Sequence, residues 1–347
     1  MPNDIIGWDI GGAHVKAARV ASNGAILAVM QTPCALWRGL SELETALKRV
    51  MSELGKATRH AVTMTGEMVD LFPNREAGVA AIAATMDNRF PNEDIAFYCG
   101  GNSFVSPDRA KDDAHRIGSA NWRASVELIA TKIDNGVFID IGSTTTDLIA
   151  IKQRSPCMVG NDDFTRLLSG ELVYTGVVRT PLMALGESVF FRGEPVPLMA
   201  EFFATTADVY RVLNELPSDA DQHPSADGAN KTAIASARRM ARMIGRDLES
   251  ASMSEWCEMA LAFRAAQLRK IEAGRRTVTS RAGLDDGAII VGAGAGQFLV
   301  REIAAKSGRE YRSFADLVPC DGDDRIAVAN VAPAVAARAH THRCPPL

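Results

Sequence analysis

No apolar run in this 347-residue chain reaches the roughly 18 residues that a membrane-spanning helix needs. The opening Met1-Pro2-Asn3-Asp4 has neither the basic region nor the apolar core of a secretory signal. Cysteines at paired spacing are missing too. Cys34, Cys99, Cys157, Cys257, Cys320 and Cys344 are dispersed, with no metal-ligand or redox pattern among them. Nor is there an excess of positive charge. The chain carries 38 Lys and Arg against 42 Asp and Glu, whereas a nucleic-acid footprint is usually strongly basic. These absences predict a reduced, cytoplasmic protein with no membrane and no nucleic-acid partner. The 47% of hydrophobic and 23% of charged residues are those of an ordinary globular chain, and the length suits about two domains.

The informative stretch is Val137-Phe-Ile-Asp140-Ile-Gly142-Ser143-Thr144-Thr145-Thr146-Asp147, followed by a second apolar run. It reads as strand, tight turn, strand, with the polar groups gathered at the bend. Gly142 lets a ligand approach the backbone, and the hydroxyls of Ser143, Thr144 and Thr145 can donate to phosphate oxygens. The chain opens on the same pattern, Ile5-Ile-Gly-Trp-Asp9-Ile-Gly11-Gly12-Ala13-His14-Val15-Lys16. Asp9 matches Asp140, Gly11 matches Gly142, and Lys16 falls where Asp147 falls. One Asp-x-Gly hairpin is a weak signal, but two copies imply an internal duplication. Asp9 and Asp140 either cap their turns or face a hydrated Mg2+, an ion that takes only one or two carboxylates.

A third piece, Ala288-Ile-Ile-Val291-Gly292-Ala-Gly294-Ala-Gly296-Gln297, is a strand leading through glycines into a helix. It fails as a dinucleotide fingerprint because Gln297 stands where the third glycine belongs. The other candidates are single residues. Lys16 and Arg179 are cations for a diphosphate or else surface residues. His14 is a phosphate donor or a histidine bonded within its turn. Glu67, at a predicted strand end, and Asp208, on a predicted helix face shared with Glu201, are the acids for general-base work. His340-Thr-His342-Arg-Cys344 has the composition of a metal site but reads as a disordered terminus.

Taken in this order, the three pieces resemble the phosphate-1, phosphate-2 and adenosine segments of the actin, Hsp70 and sugar-kinase superfamily. Within it the chain resembles the hydantoinase/oxoprolinase-related group, and in that group the short tetrahydromethanopterin-linked C1-transfer proteins. Archaeal members of that subgroup are condensing enzymes of methanofuran biosynthesis. The supporting blocks are Met64-Thr65-Gly66-Glu67-Met68, Ala120-Asn121-Trp122, Tyr174-Thr175-Gly176-Val-Val-Arg179-Thr180-Pro181 and Phe203-Ala204-Thr205-Thr206-Ala207-Asp208-Val209-Tyr210. The resemblance implies an α/β, actin-like (ribonuclease H-like) duplicated fold: two related domains, a cleft, and an inserted helical subdomain. It implies phosphate contacts from Gly11, Gly12, Ala13, His14, Gly142, Ser143, Thr144, Thr145, Arg179, Gly292 and Gly294. Substrate contacts would come from Asn121, Trp122, Thr175 and Gly176, and Mg2+ would sit at Asp9 and Asp140. The implied reaction is a transfer in which an (aminomethyl)furan-methyl diphosphate meets the phenol of γ-glutamyltyramine, an aryl ether forms and diphosphate leaves.

Large hydantoinases carry a Gly-Gly-Thr-Phe-Thr-Asp type of first loop. Here Lys16 replaces the acid, and the chain is far shorter than a full oxoprolinase, so a diphosphate substrate is expected in place of ATP. The rival readings are an ATP-dependent kinase or amidohydrolase of the same fold, and a non-catalytic nucleotide-sensing partner protein. The sequence leaves ATP binding open, and it is compatible with a homo-oligomer.

In chain order, the first domain is expected over 1–135 and the second over 136–323, with the helical insertion over about 155–285. Residues 5–30 should form two or three strands, and Leu40 to Gly55 an amphipathic helix. Helices are expected over Glu76–Asn88, Ala114–Thr131, Leu198–Leu216 and Thr232–Leu248. A further helix, opened by a Ser252–Glu255 capping box, should run to about Ala273. Tyr174–Pro181 and Pro217–Asn230 should be loops. Asp324–Ala339 should form a terminal helix near Pro333, packing back on the first domain.

Overall fold

The structure is a computed structural model describing residues 4–101, 103–320 and 325–341. Its first sheet has six strands in the order β3-β2-β1-β4-β5-β6. These are β1 (Ile5–Ile10), β2 (His14–Val20), β3 (Ile26–Pro33), β4 (Arg59–Met64), β5 (Asp94–Tyr98) and β6 (Phe104–Val105). The expected opening meander is therefore three strands. β1 pairs antiparallel with β2 and parallel with β4, so one residue of β1 is flanked by Lys16 and Thr63, and that residue is Asp9.

The first sheet is covered by α1 (Leu40–Leu54) and α2 (Arg75–Arg89). Leu43, Leu47, Val50 and Leu54 recur at helical spacing on α1 and are all buried. They join Trp8, Val15, Val62 and Ile82 in one core, each large side chain contributing about 1.5–3 kcal/mol by burial. The Asn74 side chain accepts from the Ala77 N–H and starts α2.

The helix expected over Ala114–Thr131 is broken. α3 (Ala114–Ile117) and α4 (Asn121–Ala130) are separated by Gly118, Ser119 and Ala120. Ser119 has φ +53, a left-handed conformation that a helix interior cannot contain. Gly118 forms a parallel bridge to Met64, so the break extends the sheet at the end of β4.

The second sheet has the order β10-β8-β7-β13-β14, with β9 beside β8. Its strands are β7 (Gly136–Ile141), β8 (Thr146–Lys152), β9 (Ser155–Cys157), β10 (Leu172–Val173), β13 (Ile289–Ala293) and β14 (Tyr311–Ser313). A separate hairpin joins β11 (Ser188–Phe191) to β12 (Glu194–Pro197). The helices in this part of the chain are α5 (Asp163–Ser169), α6 (Thr206–Val212), α7 (Ala233–Arg242), α8 (Met253–Ala282) and α9 (Gln297–Lys306).

Two helix expectations are corrected here. The helix expected over Leu198–Leu216 shrinks to α6, because Thr205 is its N-cap and Asp208 completes a capping box. Glu201 thus lies outside the helix, and the shared face with Asp208 does not exist. The Ser252–Glu255 box is present, but its helix runs on to Ala282, where Gly283 takes the left-handed cap. Leu182, Val209, Met240, Trp256 and Phe263 form the core of this helical region.

Two compact units are distinguished. One comprises Met1–Phe138, Ile149–Asp163 and Arg312–Leu347; the other comprises Ile139–Leu148 and Phe164–Tyr311. The terminal segment is two helices, α10 (Arg325–Asn330) and α11 (Ala332–Thr341), with Pro333 in the first turn of α11. α11 packs on β1, β4 and α4, all in the first unit. Its backbone runs through His340 and Thr341, where a disordered tail was expected; His342 to Leu347, Cys344 among them, lie outside the described residues, as does Asp324. Cys34, Cys157 and Cys257 are free thiols. Among the described residues, no helix is long and apolar enough to cross a membrane.

Candidate active site

The two Asp-x-Gly hairpins close in the same way. The Gly11 N–H donates to the His14 carbonyl at 2.9 Å, and the Gly142 N–H donates to the Thr145 carbonyl at 2.9 Å. Each glycine leads its turn, and in each the carbonyl three residues on receives the bond. That repetition of backbone geometry underlies the repeated sequence.

In the first unit, Asp9 is buried and Lys16 is its register partner on β2. The Lys16 ammonium lies 3.7 Å from the Asp9 carboxylate. His14 and Ala13 are buried, and Gly12 packs where a Cβ would stand 2.6 Å from Val69. Asn121 begins α4 and accepts from the Trp122 N–H at 2.7 Å. The Trp122 ring is buried, so that residue packs the interior and presents no ring to a ligand.

Glu67 stands in the 3-10 turn Gly66–Met68, just beyond β4, and is 1% exposed. Backbone closes around it. A Cβ on Gly78 would lie 2.3 Å from the Glu67 carbonyl oxygen, and one on Gly118 would lie 3.0 Å from Glu67 Oε1. The Ser119 hydroxyl is 2.9 Å from Glu67 Oε1 and 3.0 Å from Asp163 Oδ2. Arg75 donates to Asp163 at 3.0 Å, and its Nε lies 3.9 Å from Glu67 Oε1. Glu67 Oε2 is buried with no hydrogen-bond partner among the described residues. Burial, only partly countered by its own backbone N–H, Ser119 and Arg75, pushes the Glu67 carboxyl up to about 7.

In the second unit, the Thr175–Thr180 loop lies on the 142–145 turn. The N–H groups of Val178 and Arg179 both donate to the Ser143 carbonyl, at 3.1 and 2.8 Å, and Val177 donates to Gly142 at 3.0 Å. A Cβ on Gly176 would come 2.5 Å from the backbone of Gly142, Ser143 and Thr144. Gln267, buried on α8, donates to the Thr175 hydroxyl at 2.9 Å and to the Gly176 carbonyl at 2.8 Å. Tyr210 donates to the same glutamine. Thr175 and Gly176, expected at the substrate, therefore serve to hold this loop on the turn. Arg179 is anchored through its backbone, and its side chain is exposed. Ser143, Thr144 and Thr145 remain partly exposed at the bend.

The glycine segment at the end of β13 packs on the end of β7. Gly294 has φ +80, and a Cβ there would lie 2.3 Å from Asp140 Oδ1. Gly296 donates its N–H to the Ile141 carbonyl at 2.8 Å, and a Cβ on Gly292 would meet the Tyr311 ring at 2.7 Å. Gly292 and Gly294 are thus required by close packing, whatever else they bind. Asp147 pairs with the buried Arg166 at 2.8 Å.

Asp208 is placed differently from expectation. It is buried, accepts from the Thr205 N–H at 3.0 Å, and receives Arg239 through Nε at 2.9 Å and Nη2 at 2.7 Å. A carboxylate bound this way caps α6 and neutralises a buried guanidinium, so its oxygens are committed to those donors.

For Mg2+, the donor chemistry at Asp140 fits an ion that keeps most of its waters: one buried carboxylate beside a glycine backbone and hydroxyls. Asp9 is a weaker candidate, since Lys16 already supplies a positive charge beside it. Among the described residues, no group of three or more His, Cys, Asp or Glu is placed to hold a metal. Sequence reasoning missed Ser119, Arg75, Asp163 and Gln267. Gly118 was the one available signal for the first three, as a glycine inside an expected helix.

Residues 59–314 match the hydantoinase/oxoprolinase family. The chain is 30% identical over 291 residues to the (4-{4-[2-(gamma-L-glutamylamino)ethyl]phenoxymethyl}furan-2-yl)methanamine synthase of Methanocaldococcus jannaschii, covering 84% of this chain and 86% of that protein. It is 28% identical over 177 residues to the protein of the same name from Methanococcus vannielii, 51% of this chain and 78% of that one. Among solved structures, a nucleotide-free acetone carboxylase aligns over 97% of this chain and 70% of its own, with TM-score 0.63 at 11% identity, which is a likeness of fold. This chain belongs to the hydantoinase/oxoprolinase family.

Proposed function

We propose that this protein is a diphosphate-releasing transferase of methanofuran-type cofactor biosynthesis. It joins an (aminomethyl)furan-methyl diphosphate to the phenol of γ-glutamyltyramine through an aryl ether. The observation that carries this is the 30% identity across 84% of the chain to a synthase whose name describes that ether.

The chemistry needs a base for the phenol and positive charge for the departing diphosphate. The phenol O–H bond breaks, its oxygen bonds to the furan methylene carbon, and the C–O electron pair leaves with diphosphate. A phenol has a pKa near 10, so passing its proton to an ordinary carboxylate near 4.3 costs roughly 8 kcal/mol. Passing it to Glu67, whose carboxyl is pushed up to about 7, costs only about 4 kcal/mol. Positioned bases contribute ~10²–10⁴-fold, or about 3–5 kcal/mol. Glu67 is therefore the carboxylate we assign as general base, ahead of Asp208. Partly exposed Ser143, Thr144 and Thr145, with Arg179, supply donors for phosphate oxygens. Mg2+, held at Asp140 when bound, would neutralise charge on the leaving group.

The test is direct. Purified protein with Mg2+, the furan diphosphate and γ-glutamyltyramine should release diphosphate and form the ether in equal amounts. No diphosphate release would rule the assignment out.

A further inference from the structure

The Ser119 hydroxyl sits within hydrogen-bond distance of two carboxylates at once, 2.9 Å from Glu67 Oε1 and 3.0 Å from Asp163 Oδ2. A hydroxyl has one proton and so can donate to only one of them. If both carboxyls were ionised, one oxygen would face the Ser119 lone pairs with nothing between. The arrangement is satisfied when one carboxyl is protonated and donates to Oγ while Oγ–H donates to the other. Glu67 is the one suited to hold the proton, because its side chain is fully buried and its Oε2 has no partner among the described residues. The Asp163 side chain, in contrast, is 28% exposed and accepts from the Arg75 guanidinium.

From this geometry we propose that the Glu67 and Asp163 carboxyls share a single acid proton, and that the Ser119 hydroxyl between them is the rotor through which it passes to solvent. When Glu67 is protonated, Ser119 donates to Asp163. When Glu67 ionises, the hydroxyl turns and donates to Glu67. The left-handed backbone at Ser119 (φ +53), the Gly118 bridge to Met64 and the absence of a Cβ at Gly118 hold the hydroxyl between the two acids. The charged groups facing Glu67 are Arg75 from α2 and Asp163 from the start of α5.

The role of this relay in turnover rests on the ether-forming reading. The phenol gives its proton to Glu67, the phenoxide attacks as diphosphate leaves, and the proton then moves through Ser119 to Asp163 and out. Ser119 is a positioning residue in this scheme, since its work is done on Glu67.

The test is infrared difference spectroscopy of the full chain from pH 5 to 9, following the carbonyl stretch of a protonated carboxylic acid. The band should persist at pH 6, vanish in Glu67→Gln, and titrate near pH 7. Asp163→Asn removes a like charge and should move the midpoint down by roughly one pH unit. Ser119→Ala removes the donor to the ionised form and should move it up. The acid limb of kcat/KM for diphosphate release should move with the midpoint in each variant. A missing band at pH 6, or a midpoint unchanged in Asp163→Asn, would overturn the shared proton. Band shifts as expected with no diphosphate release would refute the ether-forming reading and leave the shared proton standing.

Discussion

Gly176→Ala isolates the packing that holds the Thr175–Thr180 loop on the second hairpin turn. The added Cβ would lie 2.5 Å from the Gly142 carbonyl oxygen, the Ser143 carbonyl carbon and the Thr144 nitrogen. All three are backbone atoms of a turn closed by its own 2.9 Å bond, so no side chain can rotate away. The loop must lift instead. Lifting lengthens the bonds from Val177, Val178 and Arg179 to the turn, each worth about 0.5–1.5 kcal/mol net. It also pulls Gly176 from Gln267, Thr180 and Thr206, which bond to its backbone at 2.8–3.2 Å. A loss of about 2–4 kcal/mol follows, in line with overpacking elsewhere. At about 2 °C per kcal/mol for a chain of this size, the melting temperature should fall by roughly 4–8 °C. The assay is thermal unfolding by circular dichroism, with Gly287→Ala as the control. A Cβ at Gly287 meets only Asp285 Oδ1 at an ordinary 3.5 Å, so that variant should melt near wild type. If Gly176→Ala and Gly287→Ala melted together, the loop would not be clamped to the turn as described.

Three other outcomes are expected. Asp208→Asn should cost about 3 kcal/mol in urea unfolding, because it weakens the pairing of the fully buried Arg239; a general-base role would instead predict lost activity at unchanged stability. For Glu67, the folded-state pKa is raised from 4.5 to about 7, so its contribution to stability is complete below about pH 4.5 and is lost as pH rises through 7. Glu67→Gln should flatten that decline, gaining roughly 3 kcal/mol relative to wild type between pH 5 and 8, as read by urea midpoints at each pH. Diphosphate with Mg2+ at 100 times its dissociation constant should stabilise the protein by about 2.7 kcal/mol, an effect that Asp140→Ala abolishes; equal stabilisation of wild type and variant would exclude Asp140 from the site.

The sequence by itself determined the paired hairpins, because Asp-x-Gly between apolar runs specifies a local turn, and both turns close through the same glycine N–H bond. It likewise determined α1, whose apolar spacing matches the helical period, and the start of α8, where Ser252 and Glu255 satisfy each other within one turn. Each of these is an interaction between residues close in the chain. Tertiary structure decided the rest. Ser119 sits 52 residues from Glu67 and 44 from Asp163, and only the bridge from Gly118 to β4 brings its hydroxyl to both. Asp208 looked like a free acid on a helix face until Arg239, 31 residues on, folded over it. Gln267, 91 residues beyond Gly176, reaches the loop through the length of α8. A carboxylate's chemistry depends on its burial and its partners, and those are set by residues distant in the chain. The identity of Glu67 was therefore legible in the sequence, but its raised pKa followed from how backbone and Ser119 enclose it.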